Sequence, residues 1–342
     1  MTNRIADIEE FLEIQFSGAC VLDVRTPAEF NEGHIPLAVN LPLFSNDERK
    51  IIGTTYKQVS REKAILQALK FVGPELYNLA IKAMAFAGKK QILIHCWRGG
   101  MRSSSVAWLL NMLGRETITL KRGYKAFRNY ALKTFSFPYQ FRILGGKTGS
   151  SKTLLLRELQ KKGEQIIDLE GLAFHKGSAF GGIGQDAHTT QEQFENDLAH
   201  ALGSMNREKI IWLEDESRHV GRLVIPQFIW EKMRASPVVF LDIPQPVRVE
   251  YLKEQYGLQK EIAPLKNAFM DIKKRLGDVR YNDAVSALQN GDFGLACKIA
   301  LDYYDRAYEF GLSKRNPDSI HKIHFETLDE KQIVEKLVRE FA

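Results

Sequence analysis

Several features are scarce or absent in this sequence, and each absence excludes a class of protein. The 342 residues include three cysteines, Cys20, Cys96 and Cys297, too few and too scattered for a disulfide framework or a zinc site. Charges interrupt every apolar run, so we predict no transmembrane helix. Residues 1–10 carry acids where a signal peptide has an apolar core. We therefore expect a cytoplasmic protein with no membrane partner.

The composition indicates a soluble globular chain with room for two domains. The apolar fraction is 44% and the charged fraction is 26%, both typical of such proteins. The sequence contains no internal repeat and no low-complexity segment. The net charge of +6 permits a polyanionic partner such as nucleic acid, although many basic proteins bind none.

Short apolar strands alternate with helical segments, a pattern typical of α/β domains with parallel sheets. The pattern loosens at residues 130–140, where we place a boundary between domains at 1–135 and 136–342. After residue 246 the chain is predicted to be helical. The predicted strands are 19–24, 91–95, 118–120, 141–144, 165–169, 209–214 and 237–242, and helices are predicted at 103–113 and 152–162.

The loop after the strand at residues 91–95 has the composition of an anion-binding site. Cys96 lies between that strand and a helix, where backbone N–H groups and the helix dipole favour negative charge and lower a thiol pKa. Arg98 and Arg102 add positive charge, and Gly99-Gly100 lets the backbone curl around an anion. We predict that Cys96 is a reactive thiolate with Arg98 and Arg102 as catalytic partners. A buried structural cysteine is the alternative, and it is the reading we give to Cys20 and Cys297, which lack such neighbours.

A Gly-rich loop after the strand at 141–144 predicts a phosphate-binding P-loop, with the pattern G-x-x-x-x-S-K-T. Ser151 replaces the usual second glycine, so we expect a slightly reshaped loop. Lys152 would reach phosphate oxygens, and the Thr153 hydroxyl would bind Mg²⁺ or phosphate. A turn that caps a helix is the alternative. The predicted phosphate-binding residues are Gly146, Lys147, Thr148, Gly149, Ser150, Ser151, Lys152 and Thr153.

Two more segments place acids after predicted strands. Residues 168–181 have the composition of a substrate loop, and residues 214–218 could hold Mg²⁺ or could pair with basic neighbours. We expect no tightly bound cofactor and assign no definite metal ligand, while Mg²⁺ fits these acids. The candidate residues of these two segments are Asp168, Glu170, His175, Glu214, Asp215, Glu216 and Arg218.

Several motifs in the first domain resemble the rhodanese signature. They are residues 23–30 (DVRTPAEF), 33–36 (GHIP) and 38–42 (AVNLP), and with the Cys96 loop they span residues 10–130. The five residues between Cys96 and Arg102 make this loop one residue longer than in common sulfurtransferases and similar to that of the related cell-cycle phosphatases. Phosphatase chemistry therefore stays open on loop length alone.

Nearly the whole chain resembles the tRNA 2-selenouridine synthases, through both loops, the two acidic segments, and residues 53–58 and 123–128. Arg122 stands where we expect glycine in the last of these motifs. The resemblance implies an α/β protein with a rhodanese-like domain at 1–135 and a P-loop NTPase-like domain with a helical C-terminal part at 136–342.

The resemblance also implies a two-step exchange at the wobble uridine of certain tRNAs. Geranyl diphosphate first alkylates the sulfur of 2-thiouridine, and selenium from selenophosphate then replaces the S-geranyl group. The P-loop would hold the diphosphate. Cys96 would serve selenation through a Cys-bound selenium intermediate, with Arg98 and Arg102 on the phosphate. Candidate tRNA contacts are Lys121, Arg122, Lys125, Arg128 and residues 273–275.

Two alternatives stay open at this point. One is a P-loop kinase or NTPase with a regulatory rhodanese-like module, and the other is a simple sulfurtransferase or phosphate-ester enzyme that uses Cys96 alone. The sequence leaves the geranyl pocket and the oligomeric state undetermined.

Overall fold

The structure, a computed structural model, describes residues 4–174, 189–257 and 262–341, without the side chains of residues 255–257. Each of the seven predicted strands is present to within a few residues. The strands are β1 Arg4–Ala6, β2 Cys20–Asp23, β3 Val39–Asn40, β4 Ile92–His95, β5 Thr117–Leu120, β6 Gln140–Gly146, β7 Gln165–Ile167, β8 Ile210–Glu214, β9 His219–Val220, β10 Leu223–Val224, β11 Val238–Asp242 and β12 Ile320–His324. Of these, β1, β3, β9, β10 and β12 were not predicted.

The helices surround the sheets and dominate the chain after residue 244. They are α1 Ile8–Phe16, α2 Pro27–Glu32, α3 Asn46–Gln58, α4 Arg61–Val72, α5 Leu76–Ala87, α6 Met101–Met112, α7 Tyr124–Thr134, α8 Lys152–Lys161, α9 Leu169–Leu172, α10 Gln191–Gly203, α11 Gln227–Ala235, α12 Gln245–Gly257, α13 Ala263–Leu276, α14 Asp278–Gln289, α15 Phe293–Ser313 and α16 Glu330–Phe341. Within the described ranges, none of these helices has the length and apolar character that a membrane crossing requires.

The first compact unit is built on a parallel sheet with strand order β1-β5-β4-β2-β3. All four residues of the central strand β4 are buried, as expected for a parallel strand covered on both faces. Ile92 and Ile94 pack with Leu22, Val106 and Leu110 in one core cluster. The carboxyl end of β4 therefore stands on a rigid base, and this is where Cys96 follows.

The first unit comprises Met1–Phe135 and also Thr190–Ser204, so it includes α10. Polar contacts fix this helix: Arg128 in α7 donates to Asn196 at 3.0 Å, and Asn196 donates to the Tyr124 hydroxyl at 2.7 Å. Gln193 accepts a hydrogen bond from the His34 backbone at 2.8 Å. The boundary predicted from the sequence, between residues 135 and 136, places residues 190–204 in the second domain. A linear reading of apolar spacing does not reveal a helix that packs on an earlier unit.

The second unit is built on a parallel sheet with strand order β12-β11-β6-β8-β7. The central strand β6 leads into the Gly-rich loop, and α8 packs beside it through Leu155 and Leu156. The α/β class with parallel sheets and a helical C-terminal region is thus confirmed. The edge strand β12 was missed in the region predicted to be helical. Of its five residues only Ile323 is buried, so it carries almost no apolar pattern.

Helices α13, α14 and α15 form a separate apolar cluster within the second unit. Its buried members include Leu265, Phe269, Leu288, Ala296 and Ala300. This helical part contacts the P-loop through α12, whose Arg248 donates to the Thr148 carbonyl at 3.0 Å, and through α15, whose Glu309 pairs with Lys147 at 2.8 Å.

Candidate active sites

Cys96 immediately follows β4, and α6 begins five residues later at Met101. The side chain is 3% exposed. Its sulfur accepts a hydrogen bond from the Gly100 N–H at 3.3 Å and lies 3.3 Å from the Ser103 hydroxyl oxygen. The loop thus curls back and brings a backbone N–H and the Ser103 hydroxyl within hydrogen-bonding distance of the sulfur.

The electrostatic setting of Cys96 favours the thiolate. Burial alone would raise the pKa of the thiol, but the hydrogen bonds from Ser103 and Gly100 and the charge of Arg102 bring it below its usual value. A thiol with a lowered pKa supplies more nucleophile near neutral pH. Cys20, by contrast, is a buried residue whose pKa is raised by burial.

The motif at residues 123–128 supports the Cys96 loop from behind. The Tyr124 N–H donates to the Cys96 carbonyl at 2.8 Å, and the Lys125 N–H donates to the Trp97 carbonyl at 3.1 Å. Gly123 has a φ of 57°, and a Cβ there would lie 2.2 Å from the Cys96 carbonyl oxygen. Arg122 also adopts a positive φ, 63°, which explains why glycine was expected at that position.

The two arginines predicted beside Cys96 differ in their surroundings. Arg102 donates to both carboxylate oxygens of Glu29, at 2.7 and 3.2 Å. Burial alone would raise the pKa of Glu29, but these contacts hold it below its usual value. Arg98 is exposed. To bind an incoming anion, Arg102 must therefore give up one or both of its hydrogen bonds to the Glu29 carboxylate.

A buried polar cluster, which sequence reasoning missed, lies beneath the loop. Arg25 is fully buried, bonds to Asp23 at 2.6 Å and to the Gly33 carbonyl at 2.7 Å, and stacks on the Tyr124 ring at 3.8 Å. His95 is also fully buried, and burial lowers its pKa to about 4. We therefore treat its 3.6 Å approach to Asp23 as a contact of a neutral ring. The rhodanese-like motifs at 23–36 supply much of this support.

The Gly-rich loop of the second unit joins β6 to α8. Ser151 has a φ of 59°, in the left-handed region, as expected for a residue in a glycine position. Lys152 is nearly buried, and its ammonium donates to the Gly146 carbonyl at 2.9 Å and to the Tyr308 hydroxyl at 3.3 Å. Burial alone would lower the Lys152 pKa, but Tyr308 and the acids Glu214 and Glu216 raise it. The lysine is therefore charged and held at the loop.

The outer part of this loop is tied to the C-terminal helices. Lys147 contacts Glu309 at 2.8 Å, and Ser150 donates a short hydrogen bond to the Lys147 carbonyl. Arg248 donates to the Thr148 carbonyl at 3.0 Å and pairs with Asp305 at 2.7 Å. Arg248 was not predicted. Only its charge in the sequence could have indicated a role.

Three carboxylates lie together beside the P-loop. One oxygen each of Glu170, Glu214 and Glu216 falls within 4.8 Å of the others, and the Thr153 hydroxyl donates to Glu170 at 3.1 Å. Burial and then the charge of Glu170 raise the pKa of Glu214, and raise that of Glu216 to about 7. Within the described part of the chain, Glu214 Oε1 has no hydrogen-bond partner. Three carboxylates offer only oxygen ligands, and one of these buried oxygens has no hydrogen-bond partner. Such a set fits a hard divalent cation such as Mg²⁺.

The remaining predicted acidic-segment residues lie outside this group. Asp168 caps α9 by accepting from the Gly171 N–H at 2.7 Å and pairs with Arg157. Asp215 pairs with Arg315 at 2.5 Å, and Arg218 is exposed. His175 lies outside the described residues.

The predicted tRNA contacts divide into exposed and engaged side chains. Lys121, Arg122 and Lys125 are exposed beside the Cys96 loop. Arg128 instead pairs with Glu195, and Lys273 pairs with Asp278 at 3.3 Å.

Family models match both halves of the chain. Residues 139–337 match the tRNA 2-selenouridine synthase AAA domain, and residues 7–130 match the rhodanese-like domain. A curated tRNA 2-selenouridine synthase of Sulfurovum sp. (strain NBC37-1) is 34% identical over 343 residues, which cover 89% of this chain and 92% of that relative.

Two solved structures are similar to parts of the chain. The N-terminal domain of a Clostridium difficile 630 protein is 39% identical over 37% of this chain and 98% of that domain, with a TM-score of 0.36. A rhodanese-related protein of Thermoplasma volcanium is 20% identical over 36% of this chain and 88% of that protein, with a TM-score of 0.22.

Proposed function

Because this chain belongs to the tRNA 2-selenouridine synthase family, we propose that it converts wobble 2-thiouridine of tRNA to 2-selenouridine in two steps. Geranyl diphosphate first alkylates the sulfur, and selenophosphate then supplies the selenium. The observation that carries this proposal is the pairing, on one chain, of a nucleophilic cysteine loop at Cys96 with a phosphate-binding loop at residues 146–153.

In the first step the 2-thiouridine sulfur attacks C1 of geranyl diphosphate. A C–S bond forms, the C–O bond to the diphosphate breaks, and pyrophosphate leaves with the electron pair, while the uracil ring loses its N3 proton. The leaving group needs positive charge and hydrogen-bond donors. Lys152 supplies the buried ammonium, and the N-terminus of α8 supplies backbone N–H groups.

A magnesium ion fits the same step. Glu170, Glu214 and Glu216 would hold it beside Thr153, and Mg²⁺ would neutralise charge on the diphosphate oxygens. Without a cation, the three acids repel one another, which is part of the reason for the raised pKa values of Glu214 and Glu216.

In the second step selenium replaces the activated sulfur at C2. The C2–S bond breaks, geranylthiol leaves, a C2–Se bond forms, and water completes the release of phosphate from selenophosphate. Cys96 serves this step as the thiolate that attacks the phosphorus of selenophosphate: an S–P bond forms, the P–Se bond breaks, and selenide leaves to attack C2, with Arg98 and Arg102 as phosphate partners. Water then hydrolyses the S–P bond, which frees Cys96 and phosphate. Alkylation must come first, because it converts a poorly departing thiocarbonyl sulfur into a thiolate leaving group.

The test is mass spectrometry of wobble nucleosides after thiolated tRNA is incubated with geranyl diphosphate and selenophosphate, separately and together. Lys152→Ala should lose geranylation, whereas Lys161→Ala, an exposed lysine on the same helix, should retain it. Cys96→Ser should accumulate geranylated tRNA and form no selenouridine, whereas Cys20→Ala should complete both steps. Full geranylation by Lys152→Ala, or selenation by Cys96→Ser, contradicts the corresponding assignment.

The tRNA partner follows from the family, and we assign part of its site to the exposed Lys121, Arg122 and Lys125 beside the Cys96 loop. Contacts to phosphates release counterions, so affinity should fall steeply with salt. Replacing all three residues by alanine should lower both the affinity for tRNA and the slope of log affinity against log salt concentration.

A P-loop NTPase with a non-catalytic first unit is a second candidate, favoured by the acidic group beside Thr153. Steady ATP turnover in the absence of tRNA would support it. A protein that geranylates tRNA with no nucleotide present would exclude a requirement for ATP.

A further inference from the structure

The helical part of the second unit encloses an apolar cavity next to the P-loop. Side chains from α13, α14 and α15 line it, among them Phe269, Leu288, Phe293, Ala300 and Leu301. The wall is almost entirely hydrocarbon, which distinguishes it from the mixed lining of the neighbouring cleft around residues 148–154. A cavity of this composition selects an apolar ligand or an apolar part of one.

The cavity and the phosphate cleft share part of their walls. Thr148, Leu252 and Tyr304 line both spaces, and Lys152 and Thr153 line the cleft. A molecule with an anionic head in the P-loop therefore finds an apolar wall directly beside that head. Water-soluble nucleotides have no comparable apolar tail, whereas a prenyl diphosphate has this amphipathic form.

We propose that this cavity binds the isoprenoid chain of geranyl diphosphate while the P-loop holds its diphosphate. The assignment rests on the proposed function and locates the substrate's hydrocarbon chain, which the sequence left undetermined. It also predicts how the protein selects chain length, because the packed side chains of the wall limit how many carbons can be removed from water.

The size of the cavity makes chain length a sensitive test. The cavity volume in this structure is about 50 Å³. A ten-carbon chain therefore enters only if lining side chains shift. Ala296 and Ala300 lie one helical turn apart on α15 and line the cavity with small side chains. A larger side chain at either position should therefore obstruct the isoprenoid chain.

Cys297 also lines the cavity. Burial raises the pKa of its thiol to about 11, so at neutral pH it presents an uncharged, weakly polar group to the chain. Cys297 was predicted as a core residue. It is only partly buried.

The experiment compares full-length wild type and variants for binding of pyrophosphate and of dimethylallyl, geranyl and farnesyl diphosphates, and for geranylation of thiolated tRNA. Ala300→Phe should weaken geranyl diphosphate binding at least 10-fold and leave pyrophosphate binding unchanged. Leu288→Ala enlarges the cavity and should shift the preference from geranyl towards farnesyl diphosphate. Ala307→Phe, on an exposed face of the same helix, is the matched control. It should change neither the affinity for geranyl diphosphate nor the chain-length preference.

The outcomes separate the cavity assignment from the proposed first step. If wild type transfers the geranyl group but Ala300→Phe and Leu288→Ala keep its chain-length preference, the cavity assignment is overturned and the first step stands. If wild type binds geranyl diphosphate no more tightly than pyrophosphate and transfers no geranyl group, both are overturned. If Ala300→Phe fails to fold, the shift in chain-length preference of Leu288→Ala decides the assignment.

Discussion

Replacing Ser103 by alanine should raise the pKa of the Cys96 thiol without moving the loop. The Ser103 oxygen lies 3.3 Å from the Cys96 sulfur and 3.1 Å from the Gly100 carbonyl. A hydroxyl has one proton, which can address either acceptor. When Cys96 ionises, the thiolate becomes the stronger acceptor and the proton turns towards it. Alanine removes this donor and leaves the Gly100 N–H in place.

The magnitude follows from the strength of that hydrogen bond. A hydrogen bond to a charged group contributes about 1.5–3 kcal/mol, and one pKa unit corresponds to about 1.4 kcal/mol. Removing Ser103 should therefore raise the pKa of Cys96 by roughly 1–2 units. The Gly100 hydrogen bond and Arg102 would still favour the thiolate, so the nucleophile becomes less available near neutral pH but is not abolished.

The assay is the rate of Cys96 alkylation by iodoacetamide as a function of pH, followed at the modified peptide by mass spectrometry. The midpoint of the profile is compared, because access to the buried sulfur is common to both proteins. Ser105→Ala is the matched control: its hydroxyl bonds to the Met101 carbonyl on the same helix. An unchanged midpoint in Ser103→Ala would refute the role of this hydroxyl.

Three further predictions test other parts of the structure. In urea titrations His95 should lower the unfolding free energy by about 2 kcal/mol from pH 7 to 5, because it takes up its proton near 6.5 when unfolded but near 4 when folded; the difference between wild type and His95→Gln isolates this contribution from those of His200 and Glu216, whose pKa values are also shifted. Mg²⁺ affinity, measured by calorimetry without pyrophosphate, should rise from pH 6 to 8, as Glu216 ionises with a pKa of about 7, and that rise should be smaller in Glu216→Gln. Gly123→Ala should abolish selenation by displacing the Cys96 carbonyl, whereas Gly114→Ala, also at positive φ but in open space, should retain it.

The fold was predictable where local pattern and burial coincide. Strands such as β4 are short, apolar and fully buried, and the glycines of the Gly-rich loop predict the turn into α8. The prediction failed for β12, since one buried residue in five gives no alternation. It also could not place α10, because its attachment depends on pairs such as Arg128 with Asn196 that are distant in sequence.

The chemical groups of the two sites were predictable, but their partners were not. Cys96 and Lys152 stand in loops whose glycines mark them, whereas the ion pair between Arg102 and Glu29 joins residues 73 positions apart. Similarly, Glu170, Glu214 and Glu216 were all candidates, yet only the parallel register of β7 and β8 brings their carboxylates together. Asp168 and Asp215 carry the same charge in the same segments and serve as a helix cap and an ion-pair partner instead.

The cations at each loop differ in how firmly the protein holds them, and this difference suits anionic substrates that must leave. Lys152 is nearly buried and is fixed by the Gly146 carbonyl, so it presents its charge in one place. Lys147, in contrast, pairs with the largely exposed Glu309, a type of ion pair that contributes only about 0–1 kcal/mol. Exchanging Glu309 for a diphosphate therefore costs little, and Glu309 can recapture Lys147 as pyrophosphate leaves. At the Cys96 loop Arg102 is the firmly held cation, because two hydrogen bonds tie it to the partly buried Glu29, and the exposed Arg98 is the one that can follow a leaving anion.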